Sequence, residues 1–267
     1  MNILFVGIGN MGGSILKSLL KSKNENIQKN SYYVTKKSQK TYDNMKENGP
    51  IILFDSLVKE EMDIIFLGVK PYQIEEAIRE HLKNSNNTQI FVSMAAGVTI
   101  EKLEKLLGKD KKIIRIMPNI PIVVGEGMTS ITPNKNIKSE DIEKIEFLLS
   151  ESSKCSILPE NKIDAFIGMA GSSPAFGYIF LEAMSDAGVK YGLTREESYY
   201  FASQALIGAG KMVLENKTNP GILKDAVCSP GGTTIVGVCT LEEEGFRNSV
   251  IKAVSKTIEK SIELSKK

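Results

Sequence analysis

The chain has 267 residues, with 34 basic and 32 acidic side chains and 42% hydrophobic residues, which is typical of a globular protein of one large domain or two ordinary ones. Its charges are nearly balanced and form no concentrated basic stripe, so nucleic acid is not expected as a partner. The apolar runs stay shorter than the about 18 residues that a membrane span requires, so a membrane is not expected as a partner either.

The first half of the chain alternates short apolar runs with amphipathic, charged segments. Strands are predicted at NILFVGI, SYYVT, PIILF, DIIFLGV, QIFVSMA and KIIRIMP. MTSITP and CSILP predict two further strands, separated by a helix that Ser139 is expected to cap. This alternation indicates a parallel sheet with crossover helices, and the near-continuous apolar runs indicate that both faces of the sheet are covered.

Beyond about Pro159 the strand-like runs end, and apolar residues recur at helical spacing. We therefore predict two domains, residues 1–159 and 160–267, of which the first is α/β and the second all-helical. The apolar faces of the second half, including IFLEAM and ALIGAGKMVL, favour a helical dimer interface. A larger core within one chain is the alternative.

Several helix ends can also be predicted in the second half. Ser173, Thr194 and Asn219 each precede a helical pattern and are expected to cap it, and a glutamate three residues after Thr194 completes a capping box. Gly192 and Gly245 are placed to end helices.

A glycine-rich loop, GIGNMG, follows the first predicted strand directly and opens the first predicted helix. In the pattern G-x-G-x-x-G, the first glycine allows a tight turn, the second lets a pyrophosphate approach the backbone, and the third permits close helix packing. At the start of a βαβ pattern this motif favours dinucleotide binding over a purely structural turn. The residues predicted to hold the pyrophosphate are Gly7, Ile8, Gly9, Asn10, Met11 and Gly12.

The end of the second strand is where a carboxylate would bind the ribose 2′-hydroxyl of NAD. This chain has Thr35, Lys36, Lys37 and Ser38 there instead. Two ammonium groups and two hydroxyls can meet a 2′-phosphate, so NADPH is predicted as the preferred cofactor, with NADH as an alternative. The other interpretation is that the two lysines form a solvated surface pair.

Three more segments follow predicted strands on the cofactor side: LGVKPYQ, SMAAGVT and MPNIP. Ligands of open α/β sheets bind beyond the carboxyl ends of the strands, so these turns are expected to border the nicotinamide. Small residues in SMAAGVT would let a flat ring lie close. The cofactor-lining residues predicted in the first two segments are Val69, Lys70, Pro71, Ala95, Ala96 and Gly97.

The sequence contains no obvious acid–base or metal site. His81, the one histidine, lies in a charged stretch that indicates an exposed helix end. The cysteines Cys155, Cys228 and Cys239 match neither zinc nor disulfide spacing, so we expect no metal and three small buried thiols in a reducing cytoplasm. Met1 is followed directly by an apolar run without a basic segment, which also favours a cytoplasmic location. Reduction of a C=N bond fits such a site, because a protonated imine accepts hydride without a strong general acid.

The segment VCSPGGTT interrupts a region that otherwise has a helical pattern. Pro230 is expected to end one helix, Gly231 and Gly232 to expose backbone N–H groups, and Thr233 with Thr234 to begin another helix. Such a loop is suited to hold the carboxylate of a small substrate, although a plain turn between two helices is the alternative. Thr234 is the candidate catalytic residue, because its hydroxyl can hydrogen-bond to a nitrogen or a carboxylate of the substrate.

Together these motifs resemble those of the pyrroline-5-carboxylate reductases. The resemblance covers nearly the whole chain: VGIGNMG, VKP, SMAAGVT, RIMPNIPIVVGEGMT, GSSPAF, EAMSDAGVKYGL, LKDAVCSPGGTTIVGV and LEEEGFR. It implies a Rossmann-type doubly wound sheet followed by an all-helical C-terminal dimerisation domain, in homodimers that commonly assemble further into rings. It also implies reduction of an imino acid, 1-pyrroline-5-carboxylate, to L-proline by hydride transfer from NAD(P)H, the last step of proline biosynthesis.

The resemblance also implies roles for the motifs. Gly7–Gly12 would hold the pyrophosphate, Val69–Pro71 and Ala95–Gly97 would line the nicotinamide side, and Ser229–Thr234 would receive the carboxylate and the ring nitrogen of the substrate. Where the family often carries an arginine or a serine after the second strand, this chain has the two lysines.

Two other functions can be weighed against an imine reductase. A β-hydroxyacid dehydrogenase with a similar first domain is expected to carry a catalytic lysine on the corresponding interdomain helix, and the chain has none between Gly168 and Glu182. A non-catalytic NADPH-binding regulator would bind the cofactor without turnover. The glycines and hydroxyls of the SPGGTT segment favour the enzyme, because a sensor has no need of a second anion site.

Overall fold

The computed structural model describes residues 1–35, 38–54, 61–82 and 85–265. The strands are β1 (Asn2–Val6), β2 (Ser31–Val34), β3 (Ile52–Leu53), β4 (Ile64–Leu67), β5 (Ile90–Ser93), β6 (Lys112–Pro118), β7 (Gly127–Pro133) and β8 (Ser153–Ile157). The α-helices are α1 (Asn10–Lys21), α2 (Glu25–Gln28), α3 (Gln39–Lys46), α4 (Ile74–His81), α5 (Ile100–Leu107), α6 (Ser139–Leu149), α7 (Ile163–Phe166), α8 (Ser173–Lys190), α9 (Arg195–Asn216), α10 (Pro220–Val227), α11 (Thr233–Glu243) and α12 (Phe246–Ser265). No helix in this part of the chain is long and apolar enough to cross a bilayer.

The strands form one sheet in the order β3-β2-β1-β4-β5-β6-β7-β8. Every neighbouring pair is parallel except β6 and β7, which departs from the parallel sheet that the sequence predicts. The connection between these two strands holds only the short 3₁₀ turn Ile120–Val124, which is too short for the crossover that a parallel neighbour requires. The strand order reverses between β1 and β4, which is the switch point where α/β sheets bind ligands.

Helices cover both faces of the sheet, as predicted for a doubly wound fold. Alternate residues of β1 point to opposite faces, so Ile3 and Phe5 join the core with α1, while Leu4 and Val6 join the core with α4. Phe5 stacks on Phe66 of β4 with ring centroids 4.7 Å apart. Each fully buried side chain of this size contributes about 1.5–3 kcal/mol, so these two cores hold the strand ends of the candidate site in place.

From residue 160 onward the structure is helical, as predicted. One compact unit consists of Met1–Gly171 with the end of α12 from Ile258, and the other is Ser172–Thr257. Within the first unit, the Ser261 hydroxyl donates to Asp164 at 2.6 Å. The functional division between residues 159 and 160 stays a prediction.

The helix ends confirm some of the predicted caps and correct others. Thr194 and Asn219 cap α9 and α10, and Thr194 forms its capping box. Ser139 and Ser173 instead are the first residues of α6 and α8, and neither is the capping residue. The backbone N–H of Lys138, just before α6, donates to the carboxylate of Asp141.

The three cysteines are free thiols, but they are not uniformly buried. Cys155 and Cys228 are only half-buried and Cys239 is exposed, so the expectation of three buried thiols is wrong. Burial, with a smaller contribution from the charge of Glu146, raises the pKa of Cys155 from 9.0 to about 11.

Candidate active site

The glycine-rich loop connects β1 to α1 at the carboxyl edge of the sheet. Gly7 follows the last residue of β1 and has φ +92°, a conformation that disfavours other residues. Its N–H donates to the Thr35 hydroxyl at 3.2 Å, so the end of β2 holds the turn. Thr35 is 7% exposed, and its hydroxyl stabilises the loop through this hydrogen bond.

Gly7, Gly12 and Gly68 pack so closely around this turn that none of them could carry a side chain without a clash. A Cβ on Gly12 would lie 2.5 Å from the carbonyl oxygen of Gly7. A Cβ on Gly68, directly after β4, would overlap the same oxygen. Sequence reasoning missed Gly68. The available signal was a glycine immediately after a buried strand, where neighbouring parallel strands bring their ends together.

The start of α1 fits the pyrophosphate of a dinucleotide. Gly9 precedes the helix in an extended conformation, α1 has no side-chain cap and no acidic residue in its first turn, and no atom lies within 4 Å of a Cβ built on Gly9. The backbone is therefore accessible where the positive end of the helix favours an anion. Ile8 and Met11 pack against the core, so only their backbone is suited to contact the cofactor.

The structure tests only part of the predicted 2′-phosphate site. Lys36 and Lys37 lie outside the described residues. The Ser38 hydroxyl accepts from the N–H of Thr41 at 3.2 Å and caps α3.

The loops after β4 and β5 lie beside the glycine-rich loop, because β1, β4 and β5 are adjacent and parallel. Val69–Pro71 and Ala95–Gly97 are therefore brought to the same edge as Gly7–Gly12. Within them, Lys70 and Ala96 are exposed, whereas Ala95 is buried. Gly97 has φ +74° and no atom within 4 Å of a built Cβ, so this turn is open.

The loop Ser229–Thr234 lies in the second unit, between α10 and α11. Gly231 has φ +66°, and α11 begins at Thr233 without a side-chain cap, which leaves its positive end suited to a carboxylate. Thr233 and Thr234 are both exposed.

Two details of this loop differ from prediction. The preceding helix ends at Val227, before Pro230, so the proline does not end it. The N–H of Gly232 donates to the carbonyl of Ser229 at 3.0 Å, so this amide stabilises a turn and is not free.

His81 takes no part in either loop. It is the last residue of α4, and its ring lies 3.7 Å from the carboxylate of the adjacent Glu80. This position agrees with the predicted helix end.

Known protein families match both halves of the chain. Residues 160–264 match a family model described as pyrroline-5-carboxylate reductase dimerisation, and residues 2–97 match one described as NADP oxidoreductase, coenzyme F420-dependent. The chain is 42% identical over 264 residues to a pyrroline-5-carboxylate reductase of Escherichia coli (strain K12), covering 98% of this chain and 97% of that protein.

Solved structures of pyrroline-5-carboxylate reductases are also similar to this chain. A pyrroline-5-carboxylate reductase from Coxiella burnetii matches with TM-score 0.88 and 30% identity, over 100% of this chain and 99% of that one. The enzyme of Plasmodium falciparum, solved with NADP bound, matches with TM-score 0.81 and 29% identity, over 99% of this chain and 100% of that one. By its full-length identity to these relatives, the chain belongs to the pyrroline-5-carboxylate reductase family.

Proposed function

We propose that this protein reduces 1-pyrroline-5-carboxylate to L-proline with hydride from NAD(P)H, the last step of proline biosynthesis. The observation that carries the proposal is the 42% identity to a reductase of that name over 98% of the chain. The reaction consumes one hydride, which bonds to the imine carbon, and one proton, which goes to the ring nitrogen.

NADPH is the cofactor, and the first unit offers residues suited to hold it. Gly7–Gly12 would bind the pyrophosphate through backbone N–H groups at the open start of α1. Thr35, Lys36 and Lys37 would border the 2′-phosphate, and the loops Val69–Pro71 and Ala95–Gly97 would border the nicotinamide. When bound, NADPH supplies the hydride, and the side chains of this chain orient the two reactants.

The second unit would bind the substrate. The first-turn amides of α11 would hold the carboxylate, because the helix begins without a side-chain cap. The hydroxyl of Thr234, exposed in that first turn, would hydrogen-bond to the ring nitrogen or the carboxylate. Thr234 is the proposed catalytic residue, and Ser229–Thr234 together would bind the substrate.

The protein is a homo-oligomer, in keeping with the dimerisation model matched by residues 160–264. We further propose a homodimer formed through a helical domain of residues 160–267, and a separate cofactor domain of residues 1–159. Assembly of the dimers into a ring and a cytoplasmic location stay predictions from the sequence.

The proposal is tested by adding 1-pyrroline-5-carboxylate to the purified protein with NADPH. We expect oxidation of NADPH with formation of one L-proline for each NADPH consumed, and a slower reaction with NADH. The regulator hypothesis predicts NADPH binding without turnover. A protein that binds NADPH but does not oxidise it with the imine would contradict the proposed function and favour the regulator.

A further inference from the structure

Asn119 is a buried polar residue at the carboxyl end of β6 to which the proposed reaction gives no role. It is 8% exposed and belongs to the MPNIP segment that the sequence places beside the nicotinamide. Its amide oxygen accepts from the Met128 N–H at 2.8 Å, and its amide nitrogen donates to the Ala170 carbonyl at 2.8 Å. A backbone N–H only donates and a carbonyl only accepts, so these partners determine the orientation of the amide.

Ala170 lies in a π-helical turn, Ile167–Gly171, at the end of the first unit. The chain continues from this turn into α8. A π-turn interrupts the regular hydrogen-bond pattern of a helix, and such turns are frequent at functional sites. Here one carbonyl of the turn is held by a side chain from the cofactor edge of the sheet.

The beginning of the same segment is held by a second polar contact. Arg115, also on β6, donates to the carboxylate of Glu160 at 2.9 Å, and Glu160 also accepts from the N–H of Ile100 at 2.9 Å. The segment 160–171 is thus attached at its beginning to β6 and to the start of α5, and near its end to the residue that follows β6.

We propose that Asn119 is a positioning residue for hydride transfer. By holding Ala170, it fixes the segment that leads into α8 against the sheet edge where β1, β4 and β5 carry the cofactor loops. The inference rests on the proposed function, because it concerns the same reduction. A misplacement of about 1 Å can cost about 100-fold in rate, so this contact is expected to matter for turnover.

Asn134 provides a matched control. It is also a buried asparagine, 7% exposed, and lies at the other end of the β6–β7 pair. Its amide likewise bonds in both directions: it accepts from the Ile113 N–H at 3.1 Å and donates to the Lys111 carbonyl at 3.0 Å. Asn119→Ala and Asn134→Ala remove the same side-chain atoms at opposite edges of the sheet. Asn134 makes at least four hydrogen bonds and Asn119 makes two, so the control loses at least as many contacts as the test variant.

We expect Asn119→Ala to lower kcat by about 10- to 100-fold while leaving the Kd for NADPH unchanged. Asn134→Ala is expected to lower Tm at least as much but to keep kcat, when each variant is assayed well below its own Tm. Asn119→Asp retains the acceptor for Met128 and replaces the donor to Ala170, so it should lose kcat as Asn119→Ala does. Equal kcat in the two alanine variants, wild-type kcat in Asn119→Asp, or a defect mainly in NADPH binding would each overturn the proposal.

Hydrogen exchange supplies a readout that does not depend on activity. Amides of residues 163–171 should exchange faster in Asn119→Ala than in the wild type and in Asn134→Ala. Unchanged exchange would overturn the proposal even if the wild-type protein reduces the imine normally. A wild-type protein that does not reduce the imine would overturn the proposed function itself, whatever the exchange shows.

Discussion

Gly9 lies in the glycine-rich loop and Gly68 packs against it, but the two positions require glycine for opposite reasons. A Cβ on Gly9 meets no atom of the protein, whereas a Cβ on Gly68 overlaps the carbonyl oxygen of Gly7. We therefore expect Gly68→Ala to destabilise the fold by about 1–3 kcal/mol through overpacking, measured by urea unfolding. Gly9→Ala should leave the urea midpoint nearly unchanged but weaken NADPH binding, because its methyl group would lie where the pyrophosphate approaches.

Each glycine variant serves as the control for the other. The interpretation would be wrong if Gly9→Ala unfolded as readily as Gly68→Ala. It would also be wrong if Gly9→Ala bound NADPH as tightly as the wild type.

Thr234 is the residue on which the proposed reaction depends most. Loss of a hydrogen bond to a charged substrate group should lower kcat/KM of Thr234→Ala by about 10- to 100-fold, without changing NADPH binding. Thr240→Ala is the control, because Thr240 lies on the same helix and its hydroxyl bonds to the Val236 carbonyl at 3.0 Å. Steady-state assays in which both variants behave alike would exclude a specific role for Thr234.

Sequence reasoning identifies glycines whose requirement is local and misses residues whose requirement depends on strand order. Gly7, Gly9 and Gly12 are recognisable because one loop must turn tightly and admit an anion. Gly68 is required only because β4 lies next to β1, although β2 and β3 come between them in the chain. The partner of Asn119, Ala170, is equally distant in sequence and could not be predicted from spacing.

The Arg115–Glu160 ion pair joins a strand to the segment after β8. The side chain of Arg115 is 5% exposed and that of Glu160 is 33% exposed. Removing one partner of a buried pair leaves an uncompensated charge, at a cost of about 3–5 kcal/mol when both are buried, so Glu160→Ala should cost somewhat less. The double variant Arg115→Met, Glu160→Ala leaves no unpaired charge, so urea unfolding should show that it is more stable than Glu160→Ala alone.

A surface pair provides the comparison. Glu101 and Lys105 pair on α5 with both side chains exposed, so Glu101→Gln should leave the urea midpoint unchanged. The account of the buried pair fails if the double variant is no more stable than Glu160→Ala alone.

The start of α6 gives the fold an acid-sensitive contact. Burial alone would raise the pKa of Asp141, but the hydrogen bonds from Lys112 and from the Lys138 N–H, with the charges of Lys112 and Lys144, lower it below 3.8. The unfolded chain therefore takes up the proton first as pH falls. The contribution to stability is complete above about pH 4 and is lost as the pH falls through the lowered pKa.

We expect Asp141→Asn to lower Tm at pH 7, and the difference from the wild type to shrink as the pH falls below about 4. Tm measured across this range by circular dichroism checks the prediction. A difference that stays constant with pH would show that the charge of Asp141 is not what stabilises α6.

The elements themselves were largely predictable, whereas strand direction and caps were not. The strands predicted from the sequence match all eight that the structure describes. The clearest are β1, β4, β5 and β6, which are mostly apolar because both of their faces are buried. The antiparallel β7 is buried like its parallel neighbours, although it carries three buried hydroxyl side chains, so burial does not reveal its direction. Only the short connection before it does. At α6, Ser139 is the first helical residue and does not cap the helix, and the Asp141 carboxylate reaches back to the Lys138 N–H instead. The position of a hydroxyl in the sequence does not reveal this arrangement.

At the scale of the whole molecule, the second unit buries little within one chain. In Ser172–Thr257, all of which the structure describes, the buried residues are Ser185, Ser198 and Ala202. Many large apolar side chains of this unit are exposed: Tyr178, Ile179, Tyr200, Phe201, Ile207, Met212, Leu214, Ile222, Val236 and Ile251. A surface of this kind is expected to be covered by a second copy of the chain.

Ile207, 51% exposed on α9, offers a test of the dimer. We expect light scattering to give the wild type at least twice the 29.4 kDa of one chain, and Ile207→Glu to shift the population to the monomer with a lower Tm. Ile52→Glu, on the edge strand β3, is the control and should keep the oligomer. A monomeric wild type would contradict the proposed interface.

A crystal structure with NADPH and an unreactive carboxylate analogue of the imine tests the central claim most directly. The account predicts the pyrophosphate on the backbone of Gly7–Gly12, and the carboxylate on the first-turn amides of α11, with Thr234 within hydrogen-bond distance of the analogue beside the nicotinamide. The prediction holds whether this α11 comes from the chain that binds the NADPH or from the partner subunit. Residues 229–234 pointing away from the nicotinamide in both copies would contradict it.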